Sequence, residues 1–149
     1  MAKSKFLYVT YIRAAQEKIF EALTRGEITR QYWGGFENVS DWKPGSTWRH
    51  QDGQKAVRIL GEVIEHAPPR RLVISWAWPA DANNRAKHTR VAFDLETVAD
   101  MVKLTVTHDE LEPGSEMERG IVEGWPRVLS SLKSFLETGK GLDTWAGKK

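Results

Sequence analysis

The hydrophobic pattern changes period three times along the chain. Phe6–Ile12 is dominated by β-branched and aromatic residues and closes at Arg13, which predicts a first strand over 5–13. Over 15–24 the spacing becomes helical, with Ala15, Ile19, Ala22 and Leu23 on one face and Glu17, Lys18 and Glu21 off it. Gly26 can end that helix in a left-handed conformation. A second short helix over 27–33 places Ile28 and Tyr32 together and stops at Gly34-Gly35. From Phe36 to Leu111 the pattern is strands and turns. Phe36–Trp42, Thr47–Gln51, Ala56–His66 and Arg71–Trp78 are separated by turn signals at 43–46, 52–53 and 68–69. Leu72, Ile74, Trp76 and Trp78 fall on one face at period two. After a polar loop over 79–88, Val91, Phe93 and Leu95 alternate, then Val102, Leu104, Val106 and His108. Such short connections imply antiparallel pairing.

The last element is a long helix. Ser115 with Glu118 three residues on forms a capping box, and Ile121, Trp125, Val128, Leu132 and Phe135 make an apolar stripe widened by Val122, Leu129 and Leu136. A face this broad needs a large cover, and the sheet is the available one. Pro126 falls inside it, so a continuous but kinked helix from Ser115 to Glu137 is expected. Gly139 and Gly141 end it, and 142–149 is expected to fray. The fold class is α+β: a mostly antiparallel sheet of about six to seven strands against one long C-terminal helix, in a single domain over 1–149.

A chain of 149 residues buries about 70% of its unfolded surface and can hold a core without staples. It has no cysteine, which removes disulfides and thiolate metal sites and fits a reducing compartment. The 22 Lys+Arg and 20 Asp+Glu are scattered, with no basic stripe for nucleic acid. Lys3 and Lys5 before Phe6–Ile12 imitate a signal peptide, but Thr10 and two tyrosines interrupt the apolar run. Nothing approaches the ~20 apolar residues of a membrane span. A cytoplasmic location is expected.

Seven tryptophans stand out in the composition. Trp33, Trp48, Trp76, Trp78 and Trp125, with Phe93 and Ile121 on the inward faces, either line a pocket between sheet and helix or pack the core. His108 ends an inward strand face, where it either meets a ligand or bonds to backbone. His50, His66 and His88 are expected at the surface. No metal-ligand spacing, G-x-S-x-G elbow or phosphate loop occurs, so neither a metal nor a cofactor is expected. Asp109, Glu110 and Glu112 are read as a solvated strand edge.

The order of elements, with Ile12–Thr24, Trp33, Pro69–Trp76, Leu104–His108 and Gly124-Trp125 as landmarks, resembles the START-like (SRPBCC) superfamily. Within it, the chain resembles bacterial relatives of the activator of the 90-kDa heat-shock chaperone ATPase. The resemblance implies a helix-grip fold with the sheet curled around the last helix, often over a cavity. It implies no single reaction. Gly45-Ser46 departs from the two glycines common in relatives, and Pro126 from an unbroken helix. Binding of a small, mostly apolar molecule is the leading expectation. A chaperone partner and an enzyme acting on an apolar substrate through His108 are the alternatives.

Overall fold

The computed structural model describes residues 2–143. Seven strands and three α-helices run in the order β1 (Ser4–Ile12), α1 (Gln16–Thr24), α2 (Gly26–Tyr32), β2 (Glu37–Ser40), β3 (Thr47–Gln51), β4 (Val57–Ala67), β5 (Arg71–Trp76), β6 (Thr89–Val98), β7 (Met101–Leu111) and α3 (Glu116–Thr138). All neighbours pair antiparallel in one sheet of order β1-β7-β6-β5-β4-β3-β2. β1 and β2 are thus opposite edges, and α1 and α2 carry the chain from one edge to the other. Tyr32 Oη donates to Ala22 O at 2.7 Å, locking the two helices together, and Thr29 Oγ1 accepts from Asn38 N at 3.0 Å, tying α2 to β2.

The alternation sorts side chains between two faces. Val91, Phe93 and Leu95 of β6 pair with His108, Val106 and Leu104 of β7, and all point inward and are buried. Against them lies the α3 stripe of Met117, Ile121, Trp125, Val128, Leu129 and Leu132. A register shift between Val63 and Glu65, where β4 meets β5, adds the local bend that lets the sheet curve around the helix.

α3 runs unbroken through Pro126. Proline leaves the carbonyl of Val122 without its helical donor, and Val122 is exposed, where water can supply one. The helix start is capped from both sides: Ser115 Oγ accepts from Glu118 N at 3.1 Å, and the Glu118 carboxylate accepts from Gly114 N at 2.8 Å. Ser115→Ala should therefore cost about 1 kcal/mol, read as a fall in the urea midpoint at unchanged m. At the other end Gly139 takes φ +87°, and its amide reaches Phe135 O at 2.8 Å.

Several boundaries differ from the sequence reading. The second helix ends at Tyr32, and β5 ends at Trp76, because Pro79 opens a short 3-10 turn over Pro79–Asp81. Trp78 lies beyond the strand and is 40% exposed, so it does not share the inward face of Leu72, Ile74 and Trp76. At 52–56 the left-handed residue is Lys55 rather than Gly53, because Asp52 Oδ1 accepts the amides of Gln54 and Ala56 and organises a wider loop. Leu142 is docked where fraying was expected, exchanging bonds with Ser131 Oγ at 2.9 and 3.1 Å; 144–149 lie outside the described residues. Ser46 fits its turn because the positive φ falls on Gly45, and its hydroxyl donates to Lys43 O at 2.6 Å.

Candidate functional site

The space between sheet and helix is floored by indoles. Trp48 of β3, Trp76 of β5 and Trp125 of α3, with Trp33 after α2, are all buried. Ring centres lie 5.3 Å apart for Trp48–Trp76 and for Trp76–Trp125, 5.6 Å for Trp33–Trp125 and 5.7 Å for Phe93–Trp125. Contacts this close mean the deep cleft is filled by the rings themselves, each pair adding about 0.5–1.5 kcal/mol beyond its burial. Trp48 Nε1 is satisfied by Ser75 O at 2.7 Å.

His108 belongs to this floor. It is wholly buried, and both ring nitrogens are engaged by side chains instead of the backbone. Thr89 Oγ1 donates to Trp76 O at 2.8 Å, so it accepts from His108 Nε2 at 2.7 Å, leaving Nδ1 to accept Trp125 Nε1–H at 3.0 Å. Burial pushes its pKa down to about 3, so it stays neutral at physiological pH. With no free lone pair, His108 clamps β6, β7 and α3 together and is not placed to move a proton.

Above the floor, a recess of about 240 Å³ opens at the mouth of the cleft, lined by Phe36, His50, Ile59, Trp76, Trp78, Met117 and Ile121, with Arg58 and Gly120 at its edge. Trp78 and Met117 also line an adjoining groove of about 350 Å³, which Lys3, Lys87, Glu110 and Glu116 edge with charge. Of the residues expected to bind a ligand, Trp76, Trp78 and Ile121 reach the recess, while Trp33, Trp48, Phe93, His108 and Trp125 lie in the packed layer beneath.

His50 is the residue the pattern reading misplaced. Expected at the surface, it is 6% exposed, because it follows Trp48 at period two on β3 and so points inward as well. Its ring stacks on Phe36 at 4.6 Å and lies 4.9 Å from Trp33. Nδ1 is 2.7 Å from Asn38 Oδ1, an acceptor, so Nδ1 carries the hydrogen. Burial lowers its pKa to about 4. His88 is tethered at the outer surface, Nδ1 to Ser75 Oγ at 3.1 Å and Nε2 to Asp81 O at 3.0 Å. Arg58 at the recess edge is held by Asp52 at 3.0 Å. Among the described residues no three of His, Asp and Glu gather as metal ligands would.

The family model described as Activator of Hsp90 ATPase homolog 1-like protein matches residues 13–137, most of the chain. The protein belongs to that family. Among solved structures, the Aha1 dimer from Colwellia psychrerythraea superposes with a TM-score of 0.75 at 24% identity, covering 93% of this chain and 99% of that one. A protein from Cytophaga hutchinsonii gives 0.72 at 28%, covering 93% and 97%. PFC0360w, an HSP90 activator from Plasmodium falciparum, gives 0.74 at 21%, covering 89% and 96%. What these share with the Hsp90-activator-like chain is the fold. No curated protein sequence matches it. In this chain the long helix closes the concave sheet, and tryptophans fill the deep part of that enclosure. Among the described residues, no helix of this family member is long and apolar enough to cross a membrane.

Proposed function

We propose that this protein binds a small, mostly apolar molecule at the mouth of the cleft between sheet and α3. The observation that carries the reading is the recess itself, about 240 Å³ walled mostly by aromatic and aliphatic side chains and sharing Trp78 and Met117 with a groove edged by charged residues. An apolar seat beside convergent polar groups is the usual build of a ligand site. The ring of the ligand rests on Trp76 and Ile121, and its polar end extends toward the groove.

Gly120 supplies the test. A Cβ added there meets nothing within 4 Å, so a side chain at 120 grows into open space at the recess edge without strain. Gly120→Leu should stabilise the helix by about 0.5–1 kcal/mol, since glycine is a poor helix former. It should at the same time weaken binding at least tenfold. A ring-containing ligand at a hundred times its Kd should raise the melting temperature of the unaltered protein by about 5–10 °C and change its tryptophan fluorescence. A broad screen of such molecules with no shift, or a ligand unaffected by Gly120→Leu, would remove the recess as the site.

A second reading, contact with a protein partner such as the chaperone named in the family description, draws support from the outer face of edge strand β1. There Leu7, Val9 and Tyr11 are exposed in a row. Measuring the chaperone's ATPase rate with and without this protein tests it, and an unchanged rate at saturating protein would dismiss it.

A further inference from the structure

His50 gives the recess a chemical preference. Its Nδ1 is committed to Asn38 Oδ1 at 2.7 Å, while Nε2 has no partner. Among the described residues the enclosed side-chain polar atoms without a partner are Trp76 Nε1 and Asp109 Oδ1. His50 Nε2 is not one of them, so it is not sealed in. Since His50 lines the recess, that nitrogen opens on it. Among the described residues Arg58 is the one cation on the recess wall, and it is turned to Asp52 through two of its nitrogens, at 3.0 and 3.3 Å. Water can donate to this acceptor in the free protein, and a molecule that fills the recess displaces that water, so it must itself donate to Nε2 or leave an enclosed acceptor unpaired.

Trp76 meets the recess with ring carbon. Its ring centre is 6.3 Å from that of His50, it is 6% exposed, and its indole N–H is enclosed without an acceptor. That N–H has no surface open to a ligand, so the polar atom the wall offers beside Trp76 is the His50 acceptor. A hydroxyl matches it, giving its hydrogen to the imidazole. Burial lowers the imidazole's pKa to about 4 and keeps it neutral at pH 7, so its lone pair is available and the ring itself offers a carboxylate no charge.

We propose that the recess selects planar, ring-containing molecules that carry a hydroxyl group, and that the hydroxyl donates its hydrogen bond to His50 Nε2. This rests on the recess being the binding site. The probes are 2-naphthol and 2-methoxynaphthalene, which share the rings and the oxygen but differ in the donor. 2-Naphthol should bind at least tenfold more tightly to the unaltered protein, by tryptophan fluorescence titration. His50→Phe keeps a ring stacked on Phe36 and should remove that preference by weakening 2-naphthol alone. Equal affinities for the two probes, or a preference that survives His50→Phe, would overturn the proposal while leaving the recess as a site. Binding of neither probe would reject the recess and the selection together. A check that needs no variant uses protein labelled with 15N at histidine. The Nε2 resonance of His50 should move upfield with 2-naphthol and stay in place with 2-methoxynaphthalene. Movement with both, or with neither, would also overturn it.

Discussion

Gly61→Ala should remove a large part of the stability of this protein. Gly61 lies on β4 opposite Trp48, and a Cβ built there would sit 2.0 Å from Ser75 O, 2.5 Å from its carbonyl carbon and 2.6 Å from Trp48 Nε1. Two of these are backbone atoms of the neighbouring strand and the third is wholly buried, so none can swing aside. The position is occupied by the 2.7 Å bond from Trp48 Nε1 to Ser75 O, which crosses over the glycine. Overpacking alone costs about 1–3 kcal/mol. Separating the bond leaves an indole N–H and a carbonyl unpaired in the interior, at about 1–3 kcal/mol each. A loss of about 4 kcal/mol or more is expected, against the ~5–15 kcal/mol that such domains possess. Urea unfolding followed by tryptophan fluorescence reads it. Gly53→Ala is the control: nothing lies within 4 Å of the added Cβ and φ is not in the left-handed region, so a change within about 0.5 kcal/mol is expected. A Gly61→Ala protein within 1 kcal/mol of the parent would show that Trp48 has another place to go.

Acid should weaken this protein well before its carboxylates protonate. His50 and His108 are held neutral by burial, with pKa values lowered to about 4 and about 3, whereas in the unfolded chain each titrates near 6.5. Below pH 6.5 the unfolded state therefore binds protons that the folded state refuses. Stability is complete above that pH and falls as pH drops toward the folded values, by about 1.4 kcal/mol per unit for each histidine. From pH 7 to pH 5 the two together should cost about 3–4 kcal/mol. Hydrogen bonds and ion pairs also lower the carboxyls of Asp52, Glu112, Glu118 and Glu137, but their contributions fade only on approach to the ordinary carboxyl range. The two windows are separable. Urea midpoints at half-unit steps from pH 7.5 to 5 measure the first, and histidine ring resonances show whether both rings stay neutral in the folded state. A flat stability profile over that range would contradict the burial of neutral imidazoles.

These effects arise where pattern reading stopped. Alternation at Val102, Leu104, Val106 and His108 announced both β7 and the inward placing of His108, since a strand has no other way to bury every second side chain. The stripe from Ile121 to Leu132 announced α3, and its Ser115–Glu118 cap located the start to the residue. Pro126 was visible as an interior proline, and the helix does continue through it. The same period-two rule that placed Trp48 inward also places His50, a signal overridden by its nearness to a strand end. Trp78 shows the opposite error, because periodicity was carried past the point where Pro79 turns the chain.

The local code thus determined the elements, their order, the inward faces and the antiparallel sheet on a single long helix, because each depends on residues close in sequence. Three things depended on long-range packing. Whether the tryptophans line a cavity or fill it is decided by how far the sheet curves, which sets their ring centres 5–6 Å apart. The partners of the histidines come from distant segments, Asn38 beside His50 and Thr89 and Trp125 beside His108. The need for glycine at 61 arises from Trp48 and Ser75, two strands that meet over it only in the folded sheet. Hydrophobic periodicity says which way a side chain points, and only the assembled layers say what it meets there.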